Sequence, residues 1–223
     1  MQTCQIRVMA LPPLDYRPPM DPPNILHQDG EILVVEKPAG LLSVPGKAEA
    51  HQDCLETRLK DADPKTLLIH RLDLDTSGLM IFARNPNAQR HLGLQFERRV
   101  VKKTYTALIT EQMPQAEGMI DLPLIADWPN RPLQKVCHST GKPARTGWST
   151  AEITKDAVRL ILTPETGRSH QLRVHLAALE RPIIGDRFYG GRVAERLMLH
   201  ASELSFRHPQ GGQWVRFGSP CQF

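Results

Sequence analysis

Cysteine is scarce in this chain, and what there is of it is scattered. Cys4, Cys54, Cys137 and Cys221 lie far apart and form no C-x-x-C pair, so neither a zinc ribbon nor a disulfide framework is built on them. They read as structural thiols in a reducing compartment. Long apolar runs are missing too: no stretch approaches the roughly 20 residues that cross a bilayer. The first residues do not make a signal peptide, because Gln5, Arg7 and a set of prolines interrupt any apolar region. A cytoplasmic protein without a membrane partner is expected. Internal repeats are absent, as is low complexity beyond the first 25 or so residues. A nucleotide-binding loop is absent as well. Five residues rather than four separate Gly40 from Gly46, and Ala48 stands where Ser or Thr should hold magnesium.

What is present is an ordinary balance, with 40% hydrophobic and 23% charged residues in a chain of 223, enough to bury a substantial core in one domain. The formal charge of +4 is compatible with a polyanionic partner such as RNA or DNA. Residues 1–25 carry three Pro-Pro pairs and read as an extended arm with polyproline II character, either a strap on the body of the protein or an arm that binds a partner. From about residue 26 onward the pattern is that of a folded domain. Strands are predicted at 31–36, 66–69, 78–83, 104–109, 133–138, 144–153, 157–163, 198–206 and 213–217. Helices are predicted at 51–61, at 86–98 behind the Asn85-Pro86 start signal, and at 167–180. Strands outnumber helices and short turns join many of them, so the fold class is α+β with a mixed, largely antiparallel sheet.

The densest chemistry lies in His70-Arg71-Leu72-Asp73-Leu74-Asp75-Thr76-Ser77-Gly78, a connection between two apolar runs that read as buried strands. A structural connection needs only Gly, Asn or Ser; this one holds two acids, a His and an Arg. Catalytic groups sit on such rigidly held loops. Asp73 is either a turn residue or a carboxylate kept reactive by a neighbouring cation. His70, Asp73 and Asp75 could supply metal ligands, but no further cluster of matching spacing completes a shell, and no metal is expected. The second concentration is Gly167-Arg168-Ser169-His170-Gln171-Leu172-Arg173-Val174-His175. Ser169 can cap a helix that places His170 and Arg173 on one face, which makes either an anion site for a phosphate or a carboxylate, or a solvated basic turn. Ser169 and His170 do not make a hydrolase, since neighbours in sequence cannot form a nucleophile–base pair and no G-x-S-x-G elbow is present. Tyr105, behind Lys102 and Lys103, is either a half-buried strand aromatic or a phenol that stacks on a base or moves a proton.

Taken together, these stretches resemble the RluA family of pseudouridine synthases. Lys37-Pro38-Ala39-Gly40, His70-Arg71-Leu72-Asp73 with Thr76-Ser77-Gly78, Lys103-x-Tyr105, Gly167 to His175, Pro182-Ile183-Ile184-Gly185-Asp186 and Leu199-His200-Ala201 match the family's blocks in order over about residues 25–220. The resemblance implies a pseudouridine synthase fold with a central cleft, and a cofactor-free isomerase. The N1–C1′ bond of a uridine breaks, the uracil turns, and C5 bonds to C1′. It implies catalytic roles for Asp73, for Arg173 as its charge partner, and for Tyr105 as a ring-packing residue and base. Arg71 would fill the gap left by a flipped nucleotide. Arg98, Arg99, Lys102, Lys103, Arg168 and His170 are the expected RNA contacts. The short arm leaves no room for an RNA-binding domain of the S4 type. The expected substrates are tRNA, at uridine 32 of the anticodon stem-loop, and 23S rRNA, at uridine 746 in a similar loop, with a monomer as the working form. The competing expectation is a non-catalytic RNA-binding module, or a relative with another tRNA or rRNA target.

Overall fold

The computed structural model describes residues 15–223; the expectation for residues 1–14 of the arm lies outside them. Twelve strands and three α-helices follow one another: β1 (Asn24–Gln28), β2 (Ile32–Lys37), α1 (Leu55–Ala62), β3 (Leu67–Leu68), β4 (Ser77–Ala83), α2 (Pro86–Glu97), β5 (Lys102–Ile109), β6 (Glu117–Asp121), β7 (Leu124–Ala126), β8 (Gln134–Val136), β9 (Arg145–Ile153), β10 (Val158–Pro164), α3 (Gln171–Ala178), β11 (Leu199–Arg207) and β12 (Trp214–Gly218). Ten strands form one sheet in the order β1-β2-β4-β11-β5-β10-β9-β6, with β3 added to β4 and β12 to β11; β7 and β8 form a separate hairpin. Every pair is antiparallel except β4 with β11.

The continuous apolar runs of β2 and β4 are explained by cover on both faces. Alternate residues point to opposite sides of a strand. Ile32, Val34, Leu79 and Ile81 meet Ala88 and Leu92 of α2. Leu33, Val35, Met80 and Phe82 turn the other way, onto Leu55 and Leu59 of α1. A second core joins Leu172 and Leu176 of α3 to Ala107, Ile109, Leu160 and Leu162. Tyr105 packs against both the α1-side and the α3-side clusters, so it stands where the two halves of that face meet.

α2 starts as expected, the Asn85 side chain accepting the Ala88 N–H at 2.9 Å. Several elements depart from the sequence reading. The 66–69 run is only the two-residue β3 and is half-buried, because it pairs with β4 only at Phe82 and Ala83. β1, β6 and β7 escape prediction, for they alternate weakly and bury few side chains; β1 runs across the expected boundary between arm and domain. α3 begins at Gln171, not Gly167, and Leu179 is exposed beyond its end. Of the described cysteines only Cys54 is buried, its sulfur accepting the Thr57 N–H at the start of α1. Cys137 is not an inert buried thiol: hydroxyl groups of Ser139 and Thr140 beside it draw its pKa down to about 6. The described part of the arm lies on the body, the Tyr16 hydroxyl donating to the Asp53 carbonyl (2.7 Å) and accepting the Leu42 N–H (3.0 Å). Among the described residues no helix is long and apolar enough to cross a membrane.

Asp29 ties the β1–β2 turn to the end of β11. Its carboxylate accepts the Glu31 and Ile32 N–H groups at 2.8 Å each and lies 2.9 Å from His27 and 3.0 Å from His208, beyond β11. Burial would raise its pKa, but these hydrogen bonds outweigh it and hold the carboxyl at about 2. A folded-state pKa below the unfolded one stabilises above the unfolded value and is lost as pH falls through the folded value. Between pH 4 and 2 the wild-type unfolding temperature should therefore fall more steeply than that of Asp29→Asn, as read by circular dichroism melts; parallel curves would remove Asp29 from the acid response.

Candidate active site

The loop between β3 and β4 is clamped from three sides. Ser43 Oγ donates to the Leu72 carbonyl (2.7 Å) and accepts the Leu72 N–H (3.1 Å). The buried Lys37 ammonium donates to the carbonyls of Pro38 (2.8 Å), Leu41 (2.7 Å) and Leu74 (3.0 Å). The Gly40 N–H reaches the same Leu74 oxygen at 3.0 Å. Burial draws the Lys37 pKa down to about 7, against the pull of Asp75 and Asp73. The Lys-Pro-Ala-Gly stretch is thus a loop clamp. His70 holds the loop in a similar way. The Ile81 N–H donates to its Nε2 at 3.0 Å, its ring stacks on Phe96, and burial brings its pKa to about 3, with the Lys103 charge adding to the effect. It is a neutral acceptor. Gly78 closes the loop at φ +114°, where an added Cβ would lie 2.3 Å from the Ala201 carbonyl oxygen. Only glycine lets β4 approach β11 there.

The clamped loop presents Asp73 at 28% side-chain exposure to a cavity of about 880 Å³. Its Oδ2 lies 3.4 Å from Arg173 Nη1 and 3.9 Å from His170 Nε2. Arg173, 2% exposed, is held elsewhere. Its Nε and Nη2 donate to the two oxygens of Asp186 at 2.7 and 2.8 Å, a bidentate pair. Burial opposes the Arg173 charge, but the Asp186 hydrogen bonds and the charges of Asp186 and Asp73 more than restore it. Asp186 also accepts the N–H groups of Phe188 (3.0 Å) and Tyr189 (3.3 Å), which fixes the loop carrying these rings. Sequence reasoning paired Arg173 with Asp73 and passed over Asp186; the Pro182 to Asp186 block was the available signal.

Ser169 does not cap α3. The N-cap is His170, in the left-handed conformation at φ 53°, and its side chain makes no capping bond. That conformation costs a non-glycine residue roughly 1–2 kcal/mol. The imidazole instead lies 2.7 Å from the Tyr189 hydroxyl through Nδ1, and stacks on Phe188. Burial lowers the His170 pKa more than Asp73 raises it, so the ring is neutral at neutral pH.

Tyr105 lines the cavity with Asp73, His170 and Arg173, and so do Arg71, Lys103 and Arg168. Burial, and then the Asp73 charge, push the Tyr105 phenol up, so its resting form is the neutral phenol; a base role requires that proton to leave first. Arg71 is exposed and forms no ion pair among the described residues. Arg98, Arg99 and Lys102 are exposed at the end of α2 and the start of β5, outside the cavity lining. Asp75 is occupied by Arg187 at 3.3 Å. The strand expected at 133–138 is β8, but its pairing with β7 was missed, and with it that this hairpin brings Arg131, Pro132 and Gln134 to the cavity; residues so far from the motifs in sequence carry no local signature.

Comparison with known proteins agrees with this geometry. A family model described as RNA pseudouridylate synthase matches residues 31–178. The dual-specificity RNA pseudouridine synthase RluA of Salmonella typhimurium is 49% identical over 215 residues, covering 94% of this chain and 98% of that protein. RluA of Vibrio parahaemolyticus is 50% identical over 221 residues, covering 94% and 88%. Among solved structures, human RNA pseudouridylate synthase domain containing 1 superposes with a TM-score of 0.74 at 29% identity, covering 89% of this chain and 83% of that one.

Proposed function

We propose, for a chain that belongs to the RluA family of RNA pseudouridine synthases and is therefore an isomerase, that it acts on two RNAs: uridine 32 in a tRNA anticodon stem-loop and uridine 746 in a similar loop of 23S rRNA. Residues 26–223 are assigned to one catalytic domain, preceded by the arm of residues 1–25. The observation that carries the reading is the Asp73 carboxylate, held in a cavity large enough for a flipped nucleotide and faced by a buried guanidinium that Asp186 already neutralises in part. The cation that faces the acid needed at C1′ is anchored by Asp186 and cannot drift away. Asp73 is assigned to act at C1′, and Arg173 to fix its charge. Tyr105 is assigned to pack on the uracil and relay the C5 proton.

Arg71, exposed in the cavity lining and without an ion pair among the described residues, suits the gap in the stack left by a flipped base, a displacement costing a few kcal/mol. Lys103 and Arg168 in the cavity wall, with Arg98, Arg99 and Lys102 outside it, are assigned to backbone phosphates, whose contacts offset that cost. A compact stem-loop read by shape and loop bases fits cations grouped in and beside one cavity. Purified protein should release tritium from C5-labelled uridine in both an anticodon stem-loop and an rRNA hairpin, stoichiometrically with RNA. Release from one alone would narrow the range. RNA binding without release from either would leave a binding module.

A further inference from the structure

We propose that His170 is a positioning residue for Asp73, set in its working tautomer by Tyr189. The proposal rests on the reading of Asp73 as the catalytic carboxylate. It departs from the expectation that His170 binds RNA: its side chain is only 11% exposed, which leaves little of it for a backbone phosphate to reach.

The tautomer follows from the partners of the Tyr189 hydroxyl. The Gln134 N–H donates to that oxygen at 2.9 Å, so one lone pair is occupied and the phenolic proton is free for His170 Nδ1, 2.7 Å away. Burial keeps the Tyr189 phenol protonated. An imidazole that accepts at Nδ1 carries its proton on Nε2, and Nε2 is the atom facing Asp73 Oδ2 at 3.9 Å. The Arg173 guanidinium approaches the same oxygen. Two donors from one helix start thus address Oδ2 and leave the other carboxylate oxygen for the sugar. The 3.9 Å separation is longer than a hydrogen bond; such contacts shorten when substrate closes a site, and a small rotation of the Asp73 carboxylate would achieve it.

The frame around His170 serves the ring's direction rather than the helix. A capping Ser, Thr, Asp or Asn would bond the free N–H groups of α3, and His170 does not. Its left-handed backbone turns the ring across the start of the helix, with Phe188 flat against it. Tyr189 is fixed in turn by its own N–H on Asp186. Asp186 therefore supports both arms, Arg173 directly and His170 through Tyr189.

Steady-state pseudouridylation of an anticodon stem-loop by Tyr189→Phe, His170→Gly and Asp73→Asn tests this. Tyr189→Phe keeps the ring and frees the tautomer; kcat should fall roughly tenfold with KM for RNA within about twofold. His170→Gly suits the left-handed backbone and should lose more in kcat, and added imidazole should restore turnover saturably by entering the vacated space, a response that a structural role would not show. Unchanged kcat in Tyr189→Phe, or a rise in KM alone in His170→Gly, overturns the proposal while leaving the catalytic reading intact. Turnover retained in Asp73→Asn overturns both. Should His170→Gly fail to fold, the buried Tyr189→Phe change, which removes one oxygen, decides the matter by itself.

Discussion

Asp73→Asn should reduce tritium release by at least about a thousandfold while RNA affinity, measured by filter binding, stays within a few-fold of wild type. The amide keeps the shape of the carboxylate and most of its hydrogen-bonding room, so only the charge and nucleophilicity are lost. Its neighbours need not rearrange: Arg173 retains both bonds to Asp186, and Asp73 is partly open to solvent. The unfolding temperature should consequently move by no more than about 2 °C. A variant within tenfold of wild-type turnover would show that the reacting group is another. One that melts far lower would instead show that Asp73 holds the loop rather than doing chemistry on it.

Asp186→Ala should be the most damaging single change to the fold among the site residues. Asp186 is 1% exposed and Arg173 2%. A guanidinium cannot shed its proton in any accessible pH range, so removing its partner leaves a buried charge facing only the longer contact to Asp73. Breaking a buried pair in this way costs about 3–5 kcal/mol, roughly a 10 °C drop in unfolding temperature for a chain of this length. The Phe188 and Tyr189 N–H groups also lose their acceptor. The double change Asp186→Leu with Arg173→Met separates the two roles of the pair. Apolar groups of similar size should recover most of the stability, and turnover should stay far below wild type because the cation beside Asp73 is gone. Thermal melts and tritium release on the same samples give both readings. A stable Asp186→Ala protein would mean that Arg173 finds another counter-charge, and the assignment of Asp186 as its anchor would fall.

Much of the site was legible because its residues are concentrated. Asp73 and Arg71 stand in one loop, His170 and Arg173 in one helix start, and Tyr105 behind two lysines, and these spacings survive in the folded protein. Reading them from spacing failed where the same residue type serves two purposes. Ser169 is a good capping residue by type, yet His170 occupies the cap because the ring is wanted elsewhere. His70 looks like a reactive group or a ligand and is a neutral acceptor for the Ile81 N–H. Lys37 stood out only as part of a family block and is a buried clamp on three carbonyls. In each case the deciding partner lies on another element, so local sequence cannot supply it.

What the sequence by itself determined is most of the elements and the chemistry they carry. Apolar runs long enough for strands but too short for membrane spans, the Asn85-Pro86 helix start, and the motifs around Asp73, Tyr105 and Arg173 are all local patterns, fixed by φ/ψ preference, capping and side-chain type. Tertiary structure alone decided which charge neutralises which. Arg173 lies 13 residues from Asp186 and 100 from Asp73, and it gives its two short bonds to the nearer acid in sequence and its single long one to the acid across the cleft. The reason is burial: a guanidinium sealed in the core must be fully paired, whereas a carboxylate that reacts must keep one oxygen free. Only the meeting of α3, the Asp186 loop and the loop before β4 in space satisfies both demands at once.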